Sequence, residues 1–342
     1  MTLLARPLVP LLALAALAGG CASDKSVINN ANQANDQLEP TIIDDPQIEA
    51  YMQKLGRRIV TVAAALSEDG VGPKAHKNGE DNSWMFQDVQ WHMVGSPTLN
   101  AFTTGGHHVY IYSELFRTAK TEDEFAAVCA HEFAHIYCRH VQKGMDRQYG
   151  VYGAAAAAAV GGALIGGKDN ALTGAAAGGA AGLAAGQFLG MGFTRRDEDE
   201  ADKYGFQFYT KAGWDPNHFG DFFQQMIDKG YDKTPEIASD HPKLANRVEN
   251  AKRRTTELEK ENPDWKKWQK PDTASPSEFA ALQSRAAAAA KRIPQTKESQ
   301  AAELMLAAFP SCVAPSASKE QQAARERLSE ATNESGSGKR RK

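Results

Sequence analysis

Between residues 46 and 143 the apolar positions change period twice. Ile48, Tyr51, Met52, Leu55, Ile59 and Val62 recur with the spacing of one helix face. Asp44-Asp45-Pro46 precedes them and puts proline at an early helical position. This predicts a helix that packs on a core. Residues 70–82 are polar and glycine-containing, a loop. Trp84, Phe86, Val89, Trp91 and Met93 then alternate with polar residues, which predicts a strand over 84–94. Ser96-Pro97-Thr98-Leu99-Asn100 breaks it. After Gly105-Gly106 a second strand is expected at His108 to Tyr112, the two forming a hairpin. Thr121-Glu122-Asp123-Glu124 reads as a helix N-cap with an acidic residue three positions on. Phe125, Val128, Phe133 and Ile136 follow, with no proline or glycine before Lys143 and the first helical run ending at Arg139-His140. Alanine-rich helices are expected again over 279–292 and 299–309, without a repeat period. The class is α+β, mostly helical with a small sheet.

The ends carry different information. Met1 to Arg6 is positively charged, Leu8 to Ala18 is apolar, and small residues lead to Cys21, the layout of a secretory signal. Leu17-Ala18-Gly19-Gly20-Cys21 resembles a bacterial lipobox, with Ala18 where leucine is usual. That resemblance implies cleavage before Cys21, acylation of its thiol and, with Ala22 rather than aspartate next, an outer-membrane lipoprotein facing the periplasm. The expected layout is a signal peptide over 1–20, a polar tether over 21–45 and a main domain over 46–253. A helical extension over 254–317 and a polar, basic-ended tail over 318–342 follow. Within the domain, residues 151–193 are rich in Ala and Gly, interrupted at Lys168-Asp169-Asn170, and Gly174, Gly178, Gly182, Gly186 and Gly190 recur every fourth position. Such a stripe permits close helix approach; a packed hairpin beside the site, a hairpin touching membrane and a mobile lid all fit it. A net charge of −3 over 342 residues argues against a nucleic-acid partner. Cys129 and Cys138 lie on one helical run, about 13.5 Å apart by helical rise, too far to bridge; they read as buried thiols, with pairing of either to Cys312 left open.

The chemistry concentrates at His131-Glu132-Phe133-Ala134-His135. Residues four apart on a helix share a face, so His131 and His135 can present two imidazoles to one metal ion, with Glu132 beside them as a general base. A metal held by two histidines needs a third protein ligand. Glu198, in the acidic run 197–202, is the candidate, and Asp202 one turn on could accept a hydrogen bond from a ligand imidazole. Read alone, the run also suits a solvated acidic helix start. His107 and His108 are neighbours on a strand and point to opposite faces, so they are not expected to share an ion. His140, five residues past His135, lies off the ligand face and is expected to hydrogen-bond structurally.

Taken together, His131-Glu132-x-x-His135, Glu198-x-x-x-Asp202, Asn100-Ala101-Phe102 and Gly105-Gly106 resemble the gluzincin family of the CAAX prenyl protease and HtpX, in its periplasmic lipoprotein and Oma-like branch. The match covers about residues 46 to 253, with Thr194-Arg195 where the family has Ser-Arg. The resemblance implies a zincin-type fold whose small sheet lines the cleft with an edge strand. It implies one Zn2+ on His131, His135 and Glu198, with Glu132 as base and Asp202 in support. Substrate would pair along Asn100, Ala101 and Phe102. It extends to Ser239-Asp240-His241-Pro242 and Arg247, which in the family border the site; His241 would stabilise the oxyanion or cap the metal in a latent state. The implied activity is hydrolysis of misfolded or unassembled envelope proteins. The rival expectations are a chaperone for outer-membrane proteins with a latent zinc site, and a glycine-zipper membrane scaffold that leaves the spaced His and Glu residues unexplained.

Overall fold

The computed structural model describes residues 23–73, 81–148, 193–231, 243–268 and 272–309. Cys21, His241, Cys312, the signal segment, the tail and the glycine-rich stretch up to residue 192 lie outside the described residues. Helix α2 (Pro46–Glu68) starts where the sequence places it. The Asp45 carboxylate accepts hydrogen bonds from the Gln47 and Ile48 amides, and Pro46 fills the first helical position. Ile48, Met52, Leu55, Ile59 and Ala63 form its buried face.

The sheet has three strands, β1 (Gln90–Val94), β2 (Ala101–Thr103) and β3 (His108–Tyr112), in the order β1-β3-β2. The expected hairpin of residues 84–94 with 108–112 is corrected on two counts. Residues 83–86 form a 3-10 turn whose Ser83 amide donates to the Asp81 carboxylate, so the strand begins only at Gln90. β1 then runs parallel to β3, and the antiparallel partner of β3 is β2, joined through Gly105 at a φ of +77°. All five residues of β3 are buried, as befits the central strand of a covered sheet.

Two boundary expectations also change. The polar segment expected to be a tether is helix α1 (Asp24–Leu38), capped by Ser23. Val27, Ala31, Ala34 and Leu38 are fully buried at helical spacing, while Asn32 and Asn35 bond to His108 and Tyr110 of β3. The expected C-terminal extension is likewise part of the same core. Helix α9 (Pro276–Ala290) packs Phe279 among Tyr51, Phe116 and Phe125, and Arg285 bonds to Asp45 at 2.6 Å. Helix α10 (Lys297–Ala308) accepts the Tyr112 hydroxyl at the Leu306 carbonyl, 2.6 Å away.

Helix α3 (Ser113–Thr118) leads from β3 into α4 (Glu122–Tyr137), which carries the histidine motif behind a Thr121 cap. Arg139, at a φ of +54°, turns the chain out of α4, and residues 140–148 form α5. Helix α6 (Arg195–Lys211) opens with a capping box between Thr194 and Asp197 and crosses α4. Helices α7 (Asp221–Asp228) and α8 (Leu244–Glu261) complete the described structure.

The α4–α6 crossing is close at Gly205. A Cβ there would sit 3.0 Å from His131 Cα and 3.1 Å from its nitrogen. Alanine normally gains about 0.5–1 kcal/mol over glycine in a helix. Here overpacking against rigid backbone costs about 1–3 kcal/mol. Gly205→Ala is therefore expected to lose about 1–2 kcal/mol in urea unfolding, the net of those two effects. Stability equal to or above wild type would show that the crossing is not held at this distance.

Candidate metal centre

The three candidate ligands meet where α4 and α6 cross. Helical spacing puts His131 and His135 on one face of α4, and the Thr194 cap starts α6 so that Glu198 faces them. The two Nε2 atoms are 3.1 Å apart. Glu198 Oε2 lies 3.5 Å from His131 Nε2, and Oε1 lies 3.8 Å from His135 Nε2. A tetrahedral ion with bonds of about 2.0–2.1 Å sets its ligands about 3.3 Å apart, so this nitrogen, nitrogen and oxygen set fits one metal ion. The three side chains are buried. Glu132, also buried, follows His131 on the same turn. The Cys129 thiol and the Tyr112 hydroxyl are both pushed up, first by burial and further by the charge of Glu132, so that carboxylate lies within electrostatic reach of β3.

Each metal-facing ring is held from behind. His131 Nδ1 lies 2.9 Å from Asp202 Oδ1. Arg247, from α8, clamps Asp202 with two hydrogen bonds of 2.9 and 2.6 Å and stacks over Phe223. Burial would raise the Asp202 carboxyl, but Arg247 and the His131 hydrogen bond outweigh it and hold it at about 2. Burial and Arg247 push His131 down, yet its bonds to Asp202 and Glu198 lift it to about 9. Burial instead drives His135 well below its usual range, against the pull of Glu198 and with a further push from His131. The two rings are thus shifted in opposite directions by their different surroundings.

His135 meets a different backing. Its Nδ1 is 2.9 Å from Nδ1 of His140, whose Nε2 is 3.0 Å from Glu200 Oε2. Phe193 stacks on the His135 ring at 4.0 Å. Sequence reasoning gave His140 only a general structural role and did not single out Glu200 or Phe193. No sequence signal marks His140: the left-handed Arg139 shifts the helical phase so that His140 comes back to His135. The other expected residues fall elsewhere. Asn100, Ala101 and Phe102 lie together at β2, all buried. His107 bonds to the Gln87 carbonyl, and His108 bonds to His92 and Asn32, away from the cluster. Cys129 and Cys138 are buried free thiols. His241 lies outside the described residues.

Loss of the group behind a metal-bound histidine typically weakens affinity about 10–100-fold. Asp202→Asn is expected to weaken Zn2+ binding in that range, measured by competition with a chromophoric chelator. An unchanged dissociation constant would detach Asp202 from the centre.

The chain is 29% identical over 225 residues to the beta-barrel assembly-enhancing protease of Escherichia coli (strain K12), covering 64% of this chain and 41% of that one. It therefore spans about two-fifths of that relative's length. It is 24% identical over 232 residues to the metalloprotease LoiP of the same organism, covering 68% of this chain and 81% of that one. It is 28% identical over 186 residues to the mitochondrial metalloendopeptidase OMA1 of Saccharomyces cerevisiae, covering 52% and 50%. The sequence model of peptidase family M48 matches residues 82–255, which contain the motif, Glu198, Asp202 and Arg247. On that match the chain is a metallopeptidase and belongs to peptidase family M48.

Proposed function

We propose that this protein is a zinc-dependent endopeptidase of the bacterial cell envelope that hydrolyses misfolded or unassembled envelope proteins. The observation that carries the reading is the convergence of His131, His135 and Glu198 with Glu132 buried on the same turn. His131, His135 and Glu198 would hold Zn2+, which when bound polarises a carbonyl and makes a nearby water more acidic. Glu132 accepts the proton of the attacking water and returns it to the leaving amine. Asp202 and Arg247 keep the His131 Nε2 lone pair turned toward the site. His241 is the candidate group for stabilising the oxyanion or for blocking the site.

The cellular setting rests on the sequence. Cys21 would carry the lipid, with the outer membrane as its address and the catalytic domain in the periplasm. Among the described residues no helix is long and apolar enough to cross a membrane. A relative named for assisting β-barrel assembly supports unassembled outer-membrane proteins as the substrate class. A second reading, an assembly factor with a latent zinc site, draws on one contact. Phe309 stacks on Phe102 of β2, 4.0 Å between ring centroids, where a substrate strand would pair.

The test is zinc content together with casein cleavage, in wild type and Glu132→Gln. One zinc per chain in both proteins is expected, with cleavage at least about a hundredfold slower in Glu132→Gln, the usual worth of a general base. Equal cleavage by the variant removes Glu132 from the chemistry. Zinc without cleavage in wild type shifts the reading to the assembly factor.

A further inference from the structure

Among the described residues His135 has no carboxylate behind it, and the group that takes that place is a second imidazole. A histidine that offers Nε2 to a metal must carry its proton on Nδ1. For His131 that proton goes to Asp202, 2.9 Å away. For His135 it goes to His140 Nδ1, at 2.9 Å. Two facing nitrogens share one proton, so His140 must be the acceptor and must carry its own proton on Nε2. That Nε2 faces Glu200 Oε2 at 3.0 Å, an acceptor-only carboxylate, which also receives Lys143 Nζ at 2.8 Å. The proton positions along the chain are thereby fixed from the metal outward.

We propose that His140 and Glu200 are positioning residues that hold His135 in the metal-binding tautomer, as a two-step relay in place of a direct carboxylate.

The fold supports this assignment independently. His140 is fully buried, so bulk water does not compete for its partners. The left-handed Arg139 turns the chain so that His140 folds back on His135, and Arg139 is itself tied to Asp24 at 3.0 Å and Asn82 at 2.9 Å. Phe193 covers the His135 ring, so the hydrogen bond and the stack together fix its plane. Glu200 comes from α6, the helix that also supplies Glu198 and Asp202. One helix therefore supplies a ligand and terminates the backing of both histidines.

A rival use of the same atoms is a second metal site. Donor atoms of Cys138, His140 and Glu200 lie within 4.8 Å of one another. An ion there would need His140 Nε2 without its proton, moving that proton to Nδ1. It would then face the Nδ1 proton of His135 across 2.9 Å. The two uses exclude each other whenever His135 binds its own metal, and the relay is the one compatible with the centre.

The proposal rests on the metal-centre reading above, and its test separates the two. Co2+ is titrated into full-length wild type, His140→Phe, His140→Gln, Glu200→Gln and Cys138→Ala, each followed by its visible absorption and by chelator competition. His140→Phe keeps a ring but neither hydrogen bond, and is expected to bind about 10–100-fold more weakly with an altered cobalt spectrum. His140→Gln can accept from His135 and donate to Glu200, and is expected to recover most of both. A merely space-filling residue would be replaced better by phenylalanine than by glutamine. Glu200→Gln, which keeps shape at a partly exposed position, is expected to weaken binding several-fold, and it decides the matter if His140→Phe does not fold. Wild-type affinity and spectrum in both His140→Phe and Glu200→Gln would overturn the relay while leaving the centre in place. Two ions per wild-type chain, one of them lost in Cys138→Ala, would overturn it in favour of the second site. No binding by wild type would overturn the centre and the relay together.

Discussion

The close crossing of α4 and α6 is the constraint on which the rest of the structure depends. The histidines come from one helix and the glutamate from another, more than sixty positions away in sequence. Only a fixed separation between the two helices gives ligand spacings of 3.1 to 3.8 Å. Gly205 sets that separation at the backbone of His131. Around it, Phe133 and Tyr137 of α4 pack against Phe208 of α6. These rings bury large apolar areas, and the residues beside them on the same helices supply the ligands. Packing and chemistry thus share one interface, and a change in the first displaces the second.

The same crossing creates an electrostatic problem. The first turns of α6 carry Asp197, Glu198, Asp199, Glu200 and Asp202, with Asp197, Glu198 and Asp202 buried. Unpartnered, such a cluster would be strongly unfavourable. Each carboxylate has a separate answer. Asp197 caps its own helix and meets Arg147 at 3.0 Å. Asp199 meets Arg254 at 2.7 Å. Glu200 takes Lys143 and His140, and is held at about 2 chiefly by the His140 hydrogen bond. Asp202 takes Arg247 and His131. Glu198 faces the two histidines, where the bound cation of the proposed centre would complete the balance.

This division explains what could be seen in the sequence. The α2 start, the Thr121 cap and the histidine motif were legible because each is local: a proline, a side chain three residues from its partner, two residues one turn apart. The grouping of Glu198 with the histidines was readable only as a pairing of two motifs, because the acidic run by itself is what a solvated helix start looks like. The parallel β1–β3 pairing was not legible, since alternation reports a strand but not its partner or direction. The α1 segment reads as a tether because its apolar face is only four residues, two of them alanine, and its asparagines are spent as hydrogen-bond acceptors for β3. The place of His140 depended on one left-handed residue, Arg139, which nothing in its side chain announces.

The burial of β2 bears on how a polypeptide could reach the centre. β2 is an outer strand, yet Ala101, Phe102 and Thr103 are all buried. The Phe102 ring is enclosed between Tyr110, at 4.7 Å, and Phe309, at 4.0 Å. A substrate strand pairing with β2 would therefore compete with the end of α10. A stacked aromatic pair contributes about 0.5–1.5 kcal/mol beyond its area, and the Tyr112–Leu306 hydrogen bond about as much. A strand that adds several main-chain hydrogen bonds can match a few kcal/mol of this kind. A strand added at β2 that displaced Phe309 from Phe102 would have to offset a cost of this size.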